Sequence, residues 1–245
     1  MTGGARGIGA AVAKEFAASG AKVASLDVNS PVENRPGIDD FKTDVTNSAA
    51  VGSVFTAIVD RLGRIDVLVN NAGIQRVGPT ASMNLDTWDM VVATHLRGMF
   101  LCSRAVIPVM QSRGEGGAIV SVSSILAHLG LPGRAPYSAA KAGMLGLTRS
   151  LAVELAPQLI RVNAVAPGYT RTALTQQGLD DGSLSEDWIT RRVPMGRLAD
   201  PTEIAKTVMY LAGDDASYVT GQCLIVDGGL TIQAFAGRPD WLGEE

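Results

Sequence analysis

The chain has 245 residues, 46% of them apolar, and its 21 Lys/Arg against 24 Asp/Glu give a net charge of -3. That size and apolar content suit one domain over residues 1–245, and the charge favours neither nucleic acid nor an anionic membrane as partner. Two cysteines, Cys102 and Cys223, make no disulfide framework and read as small core residues; with no secretory leader, no apolar run of bilayer length and no metal ligand set, a cytoplasmic setting is expected.

In chain order, a glycine-rich loop, Thr2-Gly3-Gly4-Ala5-Arg6-Gly7-Ile8-Gly9, runs into a helix expected over Gly7–Ser19. A strand over Lys22–Asp27 follows, then a polar turn region over Pro31–Asp40 and a helix over Ser48–Leu62. Further strands are read at Ile65–Asn70, Ala118–Ser123, Arg161–Ala166 and Cys223–Asp227, rich in Val and Ile and bounded by turn residues. Helical periodicity covers Leu85–Ser112, Tyr137–Ala156 and Pro201–Ala212, the last opened by the cap pair Asp200-Pro201. Tyr169–Ser185 lacks periodicity, and a loop that long implies function, so residues 169–197 are read as a lid. In the tail, Leu230–Glu245, Phe235 and Trp241 read as interface or core anchors. Apolar strands alternating with helices predict an α/β fold, a doubly wound parallel sheet in three α/β/α layers.

Tyr137 and Lys141, four apart on a helix, share one face. A free phenol titrates near 10, and a lysine ammonium beside it favours the phenolate, which makes a proton donor or acceptor usable near neutrality. The glycines of the opening loop allow a pyrophosphate to approach the backbone and the helix N-terminus. Asp27, at the end of the next strand, suits the ribose hydroxyls and repels a 2′-phosphate, whereas Arg6 could meet one; NAD is favoured over NADP.

Together these residues resemble the short-chain dehydrogenase/reductase family, in its single-domain branch, from Thr2 to about Gly229. The resemblance implies a Rossmann-like fold with Ser124, Tyr137 and Lys141 as the catalytic serine, tyrosine and lysine. It assigns Gly3, Arg6, Gly7, Ile8, Gly9, Asp27, Asp44, Val45, Asn71, Ala72, Gly73, Tyr137, Lys141, Pro167, Gly168, Thr170 and Thr172 to the cofactor. Asn70-Asn71-Ala72-Gly73 looks like the family's sheet-steadying segment, and Asp227-Gly228-Gly229 like the end of its last strand. It also implies a homotetramer built on the long middle helices and the last strand.

Two positions depart from the family pattern. His95 stands where the family carries a catalytic asparagine, and the expectation is that it completes a relay to Lys141 and titrates in the pH profile. The family also has an apolar strand directly before its Thr-Gly loop, where this chain has only Met1. The first, mid-sheet strand is therefore expected to be missing and the true start to lie upstream. His128, four residues after Ser124, is expected near the pocket. The leading functional expectation is an oxidoreductase passing hydride between NAD(H) and a secondary alcohol or ketone, with a sugar, polyol or hydroxy acid as small-molecule substrate. An NADPH-dependent 3-oxoacyl thioester reductase is the alternative, for which Arg171, Arg191, Arg192 and Arg197 would form a basic entrance. A nucleotide-sensing or scaffold protein without turnover is the alternative of another class.

Overall fold

The computed structural model describes residues 1–31 and 35–233; Phe235 and Trp241 lie outside them. Among the described residues six parallel strands form: β1 (Val23–Asp27), β2 (Ile38–Lys42), β3 (Val67–Asn70), β4 (Gly117–Val122), β5 (Ile160–Pro167) and β6 (Cys223–Val226). The helices are α1 (Gly7–Ala18), α2 (Ser48–Leu62), α3 (Leu85–Val92), α4 (Gly98–Gln111), α5 (Ala135–Leu155), α6 (Ala173–Asp180), α7 (Glu186–Arg192) and α8 (Pro201–Ala212). A π-helical turn, Ala93–Arg97, joins α3 to α4. Local chemistry sets several boundaries. Asn47 caps α2 by accepting from the Ala49 and Ala50 N–H groups at 3.0 Å, and Gly63 ends it with φ 83°. Asp200 and Glu203 form a capping box that opens α8.

Pairing gives two ladders, β1-β2 and β3-β4-β5-β6. Between β1 and β3 lies no further strand among the described residues; Met1–Gly3 bridges them instead. The Met1 ammonium donates to Ala24 O at 2.9 Å. The Leu26 N–H donates to Met1 O at 2.8 Å, Gly3 N–H to Leu26 O at 2.7 Å and Thr2 N–H to Val69 O at 2.9 Å. This short pairing joins the ladders at the end where β1 and β3 finish, and burial pulls the Met1 amine down to about 6.

Helices cover both faces. One apolar cluster gathers Val51, Phe55 and Ile58 of α2, Cys102, Val106 and Met110 of α4, and Leu151 and Leu155 of α5 against Leu68, Ile119 and Val162. The other packs Val12 of α1 and Ile204, Val208 and Leu211 of α8 against Val69, Val120 and Val165. The Leu85–Gln111 helix, read as one from sequence, is 27 residues long and by composition could cross a bilayer, unlike the sequence expectation. Its buried Val91, Cys102, Val106 and Met110 instead form core.

Two sequence expectations need correction. Pro31–Asp40 was expected as turn, but Ile38–Asp40 already belongs to β2, whose register runs Val23 with Ile38 through Asp27 with Lys42. Asp39 and Asp40 masked the strand because β2 is an edge with half-exposed faces. Tyr169–Ser185 was expected as a loop, but Thr172 caps α6 through the Thr175 N–H and Ser185 caps α7 through the Trp188 N–H. Short, polar helices lack the apolar stripe by which sequence reading finds them.

Candidate active site

The carboxyl ends of the strands converge where a doubly wound sheet places its ligands. Asp27 ends β1, Asn70 ends β3, Ser124 follows β4, Pro167 ends β5 and Asp227 follows β6. The glycine loop crosses this edge. Gly3 and Gly7 have φ 63° and 58°, a backbone that side chains other than glycine resist. A Cβ on Gly9 would collide with Gly3 O. The Asn71 amide donates to Thr2 O at 3.2 Å and Gly3 O at 2.9 Å, while Thr2 Oγ1 accepts from the Asn71 and Ala72 N–H groups. These bonds fasten the loop to the end of β3.

The residues present fit a dinucleotide. Arg6, the N-cap of α1, caps it with no side-chain bond, so the first N–H groups of α1, around Gly7, Ile8 and Gly9, remain for an anion. Asp27 Oδ2 accepts from Ala5 N–H at 3.0 Å, which places the carboxylate beside the loop. Arg6 is exposed. Asp44 is partly committed to a turn, accepting from Thr46 N–H at 2.9 Å and Thr46 Oγ1 at 2.8 Å. Val45 is buried against Gly98. On the far side Gly168 N–H donates to Val226 O at 2.9 Å and Thr170 Oγ1 to Gly168 O at 3.2 Å. A Cβ built on Gly7 would come within 3.5 Å of Thr172, so the lid's first residues face the glycine loop.

Ser124, Tyr137, Lys141 and His95 come together from β4, α5 and the π turn. The Lys141 ammonium is 5.5 Å from the centroid of the Tyr137 ring, and the His95 ring meets Tyr137 edge-on at 5.2 Å between centroids. Lys141 Nζ donates to Val122 O at 2.6 Å, and Ser123 Oγ to Lys141 O at 3.1 Å. Ser124 Oγ accepts from Leu126 N–H at 3.1 Å. Burial pulls Lys141 down to about 7. Burial also pushes the Tyr137 phenol up, opposed by a hydrogen bond with Ser124 and by the Arg134 charge. The expected lowering of Tyr137 by Lys141 is thus not what this geometry gives. Enclosure disfavours the phenolate more than its neighbours favour it.

His95 also differs from expectation. Its Nε2 meets Ile74 from both sides, with Ile74 N–H at 3.1 Å and Ile74 O at 2.7 Å. Nδ1 is buried with no hydrogen-bond partner among the described residues. Desolvation, then the Lys141 charge, pull its pKa down to about 3, so it stays neutral where its titration was expected. The π turn makes this placement possible, since one extra residue in the turn re-aims a side chain. A Cβ on Gly73 would collide with the His95 ring; only glycine lets the imidazole lie against that segment.

Other expected residues lie apart. The entrance arginines are mostly neutralised: Arg171 pairs with Glu186 at 2.7 Å, Arg191 with Asp187 at 3.0 Å and Arg197 with Glu203 at 2.7 Å. Arg192 lies 4.6 Å from the Trp188 ring. His128 Nε2 lies 3.7 Å from Cys223 Sγ at the start of β6. A depression of about 430 Å³ along α6, lined by Ala173, Gln176, Gln177, Asp180 and Asp181, includes none of the four clustered residues. Sequence reading missed Arg134, buried one turn before Tyr137, and Arg35, buried against Gly4 O at 2.5 Å, Ser25 Oγ at 3.0 Å and Asp40. The position of Arg134 three residues before Tyr137 was a legible signal; that of Arg35 was not.

Comparison with known proteins agrees with this geometry. A family profile described as enoyl-(acyl carrier protein) reductase matches residues 3–231. The chain is 40% identical to the 3-oxoacyl-[acyl-carrier-protein] reductase FabG of Thermotoga maritima, covering 95% of this chain and 96% of that protein. It is 39% identical to the (2S)-[(R)-hydroxy(phenyl)methyl]succinyl-CoA dehydrogenase subunit BbsD of Thauera aromatica, covering 97% and 96%. Among solved structures, the ligand-free aldohexose dehydrogenase of Thermoplasma acidophilum superposes with a TM-score of 0.91 at 36% identity, covering 98% and 95%. The parallel sheet edge, the glycine loop and this full-length likeness lead to one conclusion: the chain belongs to the short-chain dehydrogenase/reductase family, as an NAD(P)-dependent oxidoreductase.

Proposed function

We propose that this enzyme interconverts a 3-oxoacyl and a 3-hydroxyacyl thioester, with NAD(H) as the preferred cofactor. The observation that carries the substrate class is the full-length likeness to two proteins named for acyl thioester substrates. It moves the emphasis away from a sugar or polyol. The three ion-paired lid arginines leave little net positive charge for a large acidic carrier protein, so a small thioester such as a CoA ester fits better.

The cofactor, when bound, supplies the hydride. The α1 N-terminus and Gly3, Gly7 and Gly9 would hold its pyrophosphate, and Asp27 its adenosine ribose. Asp44, Val45, Asn71, Ala72 and Gly73 would line it, and Pro167, Gly168, Thr170 and Thr172 would cover it from the other side. Asp27 is the reason to favour NAD(H): a carboxylate engaged with the glycine loop would lie against a 2′-phosphate, at a cost in like-charge repulsion. Tyr137 would give a proton to the substrate oxygen, or take one from it, with Ser124 beside the phenol orienting that oxygen. Lys141 would hold the cofactor's ribose and the phenol's surroundings, and His95 would fix the Ile74 backbone beside them. The homotetramer stays a proposal, supported by the exposed Phe100 on α4, Val153 on α5 and Leu224 and Ile225 on β6.

The test pairs binding with turnover. NADH is expected to bind more tightly than NADPH in side-by-side titrations, and acetoacetyl-CoA to be reduced. Tyr137→Phe should cut turnover by about 10²–10⁴-fold while NADH still binds. Reduction of sugars or free alcohols with no thioester turnover would overturn the substrate class. Tighter NADPH binding would overturn the reading of Asp27.

A further inference from the structure

Arg134 is a buried cation without an ion-pair partner among the described residues. It is 4% exposed. It forms no ion pair and its side chain no hydrogen bond among the described residues, although it caps α5 with its backbone, where Arg134 O accepts from Ser138 N–H at 2.9 Å. The half-buried Arg161 and the buried Arg35 show what a structural role looks like. Arg161 donates to Leu211 O, Ala212 O and Gly213 O at 2.6–3.0 Å. Arg35 donates to Gly4 O, Ser25 Oγ and Asp40. A guanidinium has five donors, and in Arg134 none meets a protein acceptor among the described residues, which leaves them for water or a ligand.

Placement adds a direction. Arg134 stands one helical turn before Tyr137, on the same side of α5. The charged or titratable groups that feel its charge are Tyr169, Tyr137 and Asp181. Tyr169 packs edge-on against Trp188 of α7, 6.4 Å between centroids, so it belongs to the lid wall. Asp181, at the end of α6, is exposed and makes no ion pair with Arg134. The cation therefore lies between the phenol and the lid, where the substrate's body must pass.

We propose that Arg134 receives a carboxylate carried by the substrate, a few bonds from the carbon that exchanges hydride. A planar fork matches a carboxylate with two parallel bonds. One guanidinium balances one negative charge, and Arg192, the other cation acting on Tyr169, is stacked on Trp188, which favours a carboxylate over a dianionic phosphate. The proposal deepens the function proposed above and relies on it only for turnover at Tyr137. The substrate becomes an acyl thioester whose chain ends in its own carboxylate.

The experiment uses the full chain with saturating cofactor and two matched pairs. 3-Oxoadipyl-CoA against 3-oxohexanoyl-CoA carries the thioester; laevulinate against methyl laevulinate keeps the ketone-to-carboxylate spacing without one. The acid member of each pair is expected to show the higher kcat/KM, and Arg134→Gln to lower the acid-to-neutral ratio by about 10- to 100-fold. Arg134→Lys should restore part of that ratio. Calorimetric titration of laevulinate and its ester onto the NAD-bound protein reads the same preference without turnover. Equal treatment of acid and neutral partner by the wild type, or an unchanged ratio in Arg134→Gln, overturns the proposal. An unchanged ratio is what pairing with Asp181 or a purely structural role would give. Failure of both CoA esters with the laevulinate preference intact would remove the thioester reading and leave Arg134 standing.

Discussion

At the scale of single residues, the site depends on buried titratable groups whose environment, more than their identity, sets their state. His95 shows this most directly. Unfolded, a histidine titrates near 6.5; folded, this one is held down to about 3. Between those values the unfolded chain takes up a proton that the folded chain refuses. The stability His95 contributes is therefore complete above 6.5 and is lost as pH falls toward 3. Between pH 7.5 and 4.5 that amounts to on the order of 2–3 kcal/mol. Urea unfolding at the two pH values should show a smaller acid loss in His95→Asn than in the wild type; an equal loss would refute the assignment. Ser124, Tyr137 and Lys141 were legible in the sequence by type and spacing. The charge state of Lys141 and the isolation of Arg134 were not, because desolvation depends on what lies around a side chain in space.

At the scale of elements, local rules worked where their chemistry was self-contained. Ser48–Leu62 and Pro201–Ala212 form with the bounds expected, because Asn47, Gly63, Asp200 and Glu203 act on their own helix ends. In α8 the Asp200 carboxylate accepts from Thr202 N–H at 2.8 Å, and Glu203 returns a bond to Asp200 N–H at 2.8 Å. Asp200→Ala should destabilise the protein by about 1 kcal/mol, read as a lower urea midpoint at unchanged slope. No change would mean that α8 is held by its packing on α1 and the sheet alone. Elements failed to show in the sequence where the deciding partner is distant. β2 carries two aspartates and is a strand because β1 pairs with it. The π turn at Ala93–Arg97 interrupts a helix whose periodicity reads as continuous, and it brings His95 to Ile74 and Gly73.

At the scale of the whole molecule, the two sheet ladders are held together between β1 and β3 by Met1–Gly3 and by the Asn71 bonds to the same loop. The glycine loop is thus both the proposed cofactor cradle and the joint of the sheet. The exposed apolar side chains on α4, α5 and β6 lead to the expectation that Val153→Glu combined with Phe100→Glu yields a smaller species by light scattering than the wild type. A wild-type monomer would end the tetramer proposal. The sequence by itself determined β1, β3, β4, β5 and β6, the long helices between them, their parallel arrangement and the candidate serine, tyrosine and lysine, because periodicity, caps and motif spacing are properties of the chain read along its length. Only the tertiary structure decided that burial keeps His95 neutral and draws Lys141 down, that three of the four lid arginines are already paired and that Arg134 is not. Each of those follows from dielectric and counter-charge, which are set by residues far apart in sequence and brought together by packing.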